Sequence, residues 1–175
     1  MIALDAGTPF PQIQLQTVGG GARTLGKPHN GHEWQVVVVY RGLHCPICKR
    51  YLSQLQEMAS AFYDQGVEII AVSADPLDKA QTMVQDQALE LPLAYDLSPD
   101  QMAQLGLYIS NPRSAQETDR PFAEPGTFVV NADGNLQIVD VSNAPFARPD
   151  LDALLRGITF VREKNYPVRG TRARG

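Results

Sequence analysis

Apolar and polar positions alternate along this chain with two different periods. The densest apolar stretch contains four consecutive valines, Val36 to Val39. β-Branched residues fit a pleated strand, and an unbroken run suits one covered on both faces. Cys48, Tyr51, Leu52, Leu55, Met58, Ala59 and Phe62 then recur near a period of 3.6, with Lys49, Arg50, Ser53, Glu57 and Asp64 on other sides. This spacing predicts an amphipathic helix whose first turn carries Pro46 and which stops at Gly66. Val67 to Val72 reads as a second buried strand. Asp75 and Pro76 are placed to cap and open a further helix, with Leu77, Ala80, Met83, Val84 and Ala88 as its apolar face. Leu91 to Asp96 carries a short extended piece. Ser98, Pro99 and Gln101 spell a capping box for a short helix that stops near Gly106.

The two ends of the chain are read the same way. Gln12 to Val18 alternates as a half-exposed strand does, and Gly19-Gly20-Gly21 turns the chain. Residues 110–125 hold Pro112, Pro121 and Pro125 without any period and predict the longest loop. Thr127 to Asn131 and Leu136 to Val141 are strands joined at Asp133-Gly134, a hairpin signal. Pro149-Asp150 opens a last helix with Leu151, Leu154, Leu155, Ile158 and Val161 inward, ended by Pro167. Two parallel strands about a helix, followed by an antiparallel hairpin, predict an α/β fold. Its central mixed sheet has helices on both faces and an extra N-terminal strand region. We expect one domain over 1–175, with 168–175 as a flexible basic tail.

Composition narrows the function. A chain with 43% apolar and 19% charged residues and a net charge of −4 is an ordinary globular one. It gives no reason to expect nucleic acid or a membrane as partner. No apolar stretch is long enough to span a bilayer. With Met1 as the natural start and no leader pattern, a cytoplasmic location is expected.

The chemistry lies in Cys45 and Cys48, the only cysteines. They are too close to staple a loop, so a bond between them would serve reactivity more than stability. Cys45 falls at or beside the helix N-cap, where free N–H groups and the helix dipole favour a thiolate. Arg41, Lys49 and a protonated His44 are near enough in sequence to add positive charge. Cys48 lies one turn on, along the inward stripe. Cys45 is therefore the candidate nucleophile and Cys48 the candidate resolving residue. No cofactor or metal is called for.

The AGTPFP segment, the strand–CPIC–helix, VEIIAVSAD and PGTFVVNADGNL together resemble the thioredoxin fold over about residues 5–160. Within that fold they resemble the peroxiredoxin-like (alkyl hydroperoxide reductase/thiol-specific antioxidant) group. The resemblance implies a thiol–disulfide oxidoreductase or thiol peroxidase acting on a peroxide or a disulfide. Thioredoxin or glutathione would restore the pair. It also implies supporting roles for Pro125, Gly126 and Thr127, with Pro125 cis as in thioredoxin-like proteins, and by fold analogy a homodimer through the Tyr108–Phe122 region. Peroxiredoxins carry Pro-x-x-x-Thr-x-x-Cys, but Val38 and Gly42 stand at the proline and threonine positions. Their arginine before Gly126-Thr127-Phe128 is Pro125 here, leaving Arg41, Arg113 and Arg120 as candidate replacements. The acid that thioredoxins bury on the preceding strand corresponds to Val39.

Two other readings use the same residues. His29 and His32 with Cys45 and Cys48 offer the ligand types of a structural or sensing zinc site, although a buried strand separates the pairs. A redox-inert binding protein on the same fold is the other.

Overall fold

The computed structural model describes residues 4–173. Its elements are β1 (Gln14–Gln16), β2 (Ala22–Thr24), β3 (Trp34–Val39), α1 (Pro46–Asp64), β4 (Val67–Val72), α2 (Leu77–Gln87), β5 (Leu93–Ala94), α3 (Pro99–Gln104), β6 (Ile109–Ser110), β7 (Phe122–Ala123), β8 (Gly126–Val130), β9 (Leu136–Val141) and α4 (Leu151–Lys164). Five of the strands form one mixed sheet in the order β5-β4-β3-β8-β9. β3, β4 and β5 run parallel, while β8 pairs antiparallel with β3 and β9.

The valine run sits at the centre of this sheet, apolar on both sides and flanked by β4 and β8, which are also buried on both faces. Val36 and Val38 face one core, with Leu52, Leu55 and Phe62 of α1, Ala80 and Met83 of α2, and Leu154 and Ile158 of α4. Val37 and Val39 face the other, with Ile13, Leu15, Met102 of α3, Phe122 and Phe128. Helices therefore cover both faces, as the mixed pattern predicts. Among the described residues no helix is long and apolar enough to cross a membrane.

Where turn chemistry is local, the predicted boundaries and the observed ones agree. Cys45 caps α1, and Gly66 follows its end at φ +75°. Ser98 and Gln101 exchange both bonds of the capping box. Other elements depend on contacts distant in sequence. The glycine turn folds β1 onto β2, a strand without its own pattern. The 110–125 stretch is framed by β6 and β7, which pair with each other. Arg120 ties it down by donating to the Ala74 carbonyl (3.3 Å) and Asp96 (3.2 Å).

Three expectations need correction. Asp75 does not cap α2; Pro76 holds that position without a side-chain bond, and the Asp75 carboxylate instead accepts from Leu43 N at 2.8 Å. Pro167 does not end α4, because Asn165 has already turned left-handed at φ +48°. Pro125 is not cis, since the described residues contain no cis peptide bond. The chain runs straight from β7 into β8, and the Pro125 carbonyl accepts from Ser142 N (3.0 Å), continuing the β8–β9 pairing. An extended passage of this kind needs no reversal at the proline. Residues 174 and 175 of the basic tail lie outside the described residues.

Candidate active site

β3 delivers the chain to the turn Tyr40–His44, and Cys45 follows with extended backbone angles, φ −112° and ψ 100°. That geometry leaves its carbonyl free to accept from Lys49 N (3.1 Å), which starts α1. Its sulfur accepts from Cys48 N at 3.3 Å, as a capping side chain does. Both thiols are free and both are buried, Cys48 completely.

The two sulfurs sit one turn apart in opposite electrostatic states. The Cys45 thiol is drawn down to about 6, first by the hydrogen bond from the Cys48 side chain. Burial opposes this, while the Cys48 N–H, a hydrogen bond from Arg41 and the charge of Arg148 support it. Cys48 is pushed up, first by burial and then by its bond to Cys45, with Arg148 and the Arg41 backbone working the other way. A thiolate beside a protonated thiol is suited to nucleophilic attack followed by ring closure between the two.

Arg41 is held where it meets Cys45. Its Nε lies 3.0 Å from Glu124 Oε1 and donates to Oε2 at 3.3 Å, and Ser110 Oγ donates to the same carboxylate at 2.6 Å. Its guanidinium stacks 4.9 Å from the Phe122 ring centroid. Of the three arginines suggested by sequence, this one acts on Cys45, helping to lower its pKa. Arg113 instead pairs with Glu117, and Arg120 with Asp119 and Asp96.

His44 does not supply a second charge. It packs edge-on against Phe122 at 4.7 Å, and burial followed by the charge of Arg41 lowers its pKa, holding it neutral. Neither ring nitrogen has a hydrogen-bond partner among the described residues. Gly126 and Thr127 are buried strand residues opposite Val39 and Val38. At Gly126 a Cβ would come within 2.4 Å of Leu107 Cδ2, so glycine there is a packing requirement.

Gly42 has φ +147°, and a Cβ on it would meet Asp75 Oδ1 at 2.8 Å and His44 Nδ1 at 3.0 Å. The space of the missing threonine is therefore closed by a carboxylate from the turn after β4. Burial raises the pKa of Asp75, against the bond from Leu43 N and the charges of Lys79 and Arg120.

Arg148 escaped the sequence reading altogether. Its Nη2 donates to Cys48 Sγ at 2.7 Å across 100 residues of chain. The guanidinium lies 4.9 Å from the Tyr51 ring centroid, and Tyr51 Oη donates to the adjacent Pro149 carbonyl at 2.8 Å. Only one local signal marked it, an arginine within the proline-flanked segment before the Asp150 cap. Glu124 and Asp75 were missed as site residues for the same reason, since both act through contacts distant in sequence.

The proposed zinc ligands are not brought together. His32 stacks on Tyr63 in the last turn of α1 (5.1 Å), and His29 N donates to Glu68. Cys45 lies at the opposite end of that 19-residue helix, which is about 28 Å long. Among the described residues no group of three or more His, Cys, Asp or Glu is placed to hold a metal.

Comparison with known proteins agrees with this frame. A probable 1-Cys peroxiredoxin of Syntrichia ruralis is 20% identical over 137 residues, which cover 75% of this chain. The chain spans only 62% of that relative's length. Peroxiredoxin 6 of Arenicola marina superposes with a TM-score of 0.79 at 18% identity, covering 94% of this chain and 76% of that one. A peroxiredoxin-like protein from Aquifex aeolicus gives 0.76 at 16% identity, covering 92% and 90%. These structures share the thioredoxin-like fold. The model of the AhpC/TSA family matches residues 6–139, most of the sheet and the whole cysteine segment, and the chain belongs to that family.

Proposed function

We propose that the protein is a thiol peroxidase in which Cys45 attacks and Cys48 resolves. The observation that carries this reading is the Cys45 sulfur at the N-cap of α1, accepting from Cys48 N at 3.3 Å, with its pKa drawn down to about 6. The Cys45 thiolate attacks one oxygen of a peroxide, the O–O bond breaks, and the leaving oxygen takes a proton from solvent and departs as an alcohol or water. Cys45 becomes a sulfenic acid. Cys48 then gives up its proton to solvent and attacks the Cys45 sulfur, the S–O bond breaks, and the departing hydroxide takes a proton back from solvent to leave as water. Arg41 stands in for the arginine and threonine donors of the family, stabilising charge on the leaving oxygen. Thioredoxin or glutathione reduces the resulting disulfide.

A second substrate class uses the same sulfurs. With a disulfide in place of the peroxide, Cys45 forms a mixed disulfide and Cys48 displaces the second thiolate. The thioredoxin-like spacing of Cys45 and Cys48 favours keeping this route. Homodimer formation through the Tyr108–Phe122 region belongs to the same proposal, supported by the exposed Tyr108 and Ile109. A cytoplasmic location also fits, because a dithiol kept reduced is the starting state.

The test is a single turnover of reduced protein with one equivalent of hydrogen peroxide, followed by mass after acid quench. Trp34 would be a poor reporter, since it opens β3 at the end away from Cys45. A rate far above that of a free thiol, ending in a Cys45–Cys48 disulfide, is the expected result. Cys48→Ser should stop at the sulfenic acid. A free-thiol rate with peroxide but fast exchange with glutathione disulfide would move the assignment to the second substrate class.

A further inference from the structure

A CxxC pair that works in two steps has a problem built into its resting state. Cys48 keeps Cys45 ionised by remaining protonated, yet Cys48 must lose that proton once Cys45 has reacted. In the resting protein Arg148 already donates to the Cys48 sulfur at 2.7 Å. Among the described residues its charge is not used in an ion pair with any carboxylate, and its Nε and Nη1 have no hydrogen-bond partner. A partly buried guanidinium without a carboxylate is poorly explained as a structural ion pair. The support around it is specific: α1 presents Cys48 and, one turn later, Tyr51, whose ring stacks under Arg148 and whose hydroxyl fixes the Pro149 carbonyl.

We propose that Arg148 is the catalytic group of the second step, holding Cys48 as a thiolate while it attacks oxidised Cys45. This rests on the reading of Cys48 as the resolving residue. The two guanidinium groups are then divided between the two sulfurs. Arg41, braced by Glu124, serves the attack of Cys45 on the peroxide. Arg148, braced by Tyr51, serves the attack of Cys48 on the Cys45 sulfenic acid. Cys48 first gives up its proton to solvent; in the attack the S–S bond forms, the S–O bond breaks, and the departing hydroxide takes a proton back from solvent to leave as water. When the substrate is a disulfide, the leaving group is a thiolate and the role of Arg148 is unchanged.

The experiment separates the two steps in Arg148→Gln and Arg148→Lys. Reduced protein receives one equivalent of hydrogen peroxide; sulfenic acid is trapped with a dimedone-type reagent and disulfide is counted by mass. Arg148→Gln should slow disulfide formation roughly 10- to 100-fold, the worth of one charged hydrogen bond, while loss of the Cys45 thiol, whose ionisation the Arg148 charge also supports, slows by clearly less. Its disulfide-forming rate should also need higher pH. The groups facing Cys48 are Cys45 and Arg41 on the turn, Tyr40 after β3, Tyr51 on α1 and Arg148, and only the last is altered. Arg148→Lys should recover part of the rate. If Arg148→Gln does not fold, Tyr51→Phe keeps the ring and removes the bond to Pro149, and the same step should slow by less. Equal slowing of both steps, or unchanged disulfide formation, overturns the proposal. If the parent protein forms no Cys45–Cys48 disulfide, the resolving role of Cys48 fails first and takes this inference with it.

Discussion

The central sheet carries a buried polar cluster at each end, and the two differ in how completely they are satisfied. At the end remote from the cysteines, Glu68 takes Arg23 and Gln35 on one carboxylate oxygen and His29 N on the other. Gln35 in turn accepts from Gly26 N (2.7 Å) and donates to the Lys27 carbonyl. Apart from Arg23 Nε, these groups have partners. At the cysteine end, both nitrogens of His44 and two of Arg148 have none among the described residues, and a thiolate is held beside a protonated thiol. A saturated network fixes structure, while an unsaturated one keeps donors available for a group that arrives later. The comparison assigns the first cluster to folding and the second to chemistry.

The largest expected effect lies at the unsaturated end. Cys45→Ser should reduce the reaction with hydrogen peroxide to that of the buffer alone, with the unfolding midpoint nearly unchanged below about pH 6, where the thiolate contributes no stability. Quenched-flow mass analysis and urea unfolding check the two halves of this prediction. Glu68→Ala should do the reverse. Removing the carboxylate leaves the largely buried Arg23 of β2 without its ion-pair partner at a cost of about 3 kcal/mol, while the single-turnover rate of the folded fraction stays the same. A loss of rate without loss of stability in Glu68→Ala would break the division.

The next effect sharpens the chemical half. Arg41→Gln removes a hydrogen bond that lowers the pKa of Cys45. The thiolate titration, read by ultraviolet absorbance, should move upward from about 6, and the peroxide step should slow roughly tenfold or more at neutral pH. In the parent protein the peroxide rate should fall with pH as the thiolate is protonated, reaching roughly a tenth of its plateau one unit below that value. The depressed pKa also stabilises the reduced fold above the ordinary thiol range. That contribution declines as pH falls toward about 6 and is gone below it.

How much of this was legible in the sequence follows from the range of each interaction. The valine run, the helix stripe, the Cys45 cap and the capping box at Ser98 are written in neighbouring residues, so period and spacing find them. β2, β6 and β7 are two or three residues long and exist only because a partner strand pairs with them. The same distinction divides the site. Cys45 and Cys48 announce themselves by spacing. Glu124 and Arg148 reach the site over 83 and 100 residues, and beyond the proline-flanked setting of Arg148 nothing local marks them. Asp75 was visible, but as a helix cap, since an Asp-Pro pair ahead of a helical stripe has that local meaning. Burial under the Gly42–Leu43 turn overrode it.

Asp75 gives the smallest expected effect and tests the border between the two clusters. Its carboxylate is buried like that of Glu68 and holds the active-site turn through Leu43 N, yet it stands beside the unpartnered His44. Burial raises its pKa from the ordinary 3.8, so the folded state binds a proton more readily there than the unfolded chain. The stability this supplies is present below the ordinary carboxylate range and is lost as pH rises through the raised value. Asp75→Asn keeps an oxygen for Leu43 N and removes the ionisation. Urea midpoints of the variant should therefore match the parent in acid and exceed it slightly at neutral pH, while the peroxide rate changes by less than about threefold, the range of one weakened neutral contact. A fall in neutral stability would mean that the negative charge itself holds the turn, and Asp75 would then belong with Glu68 among the groups that fix structure.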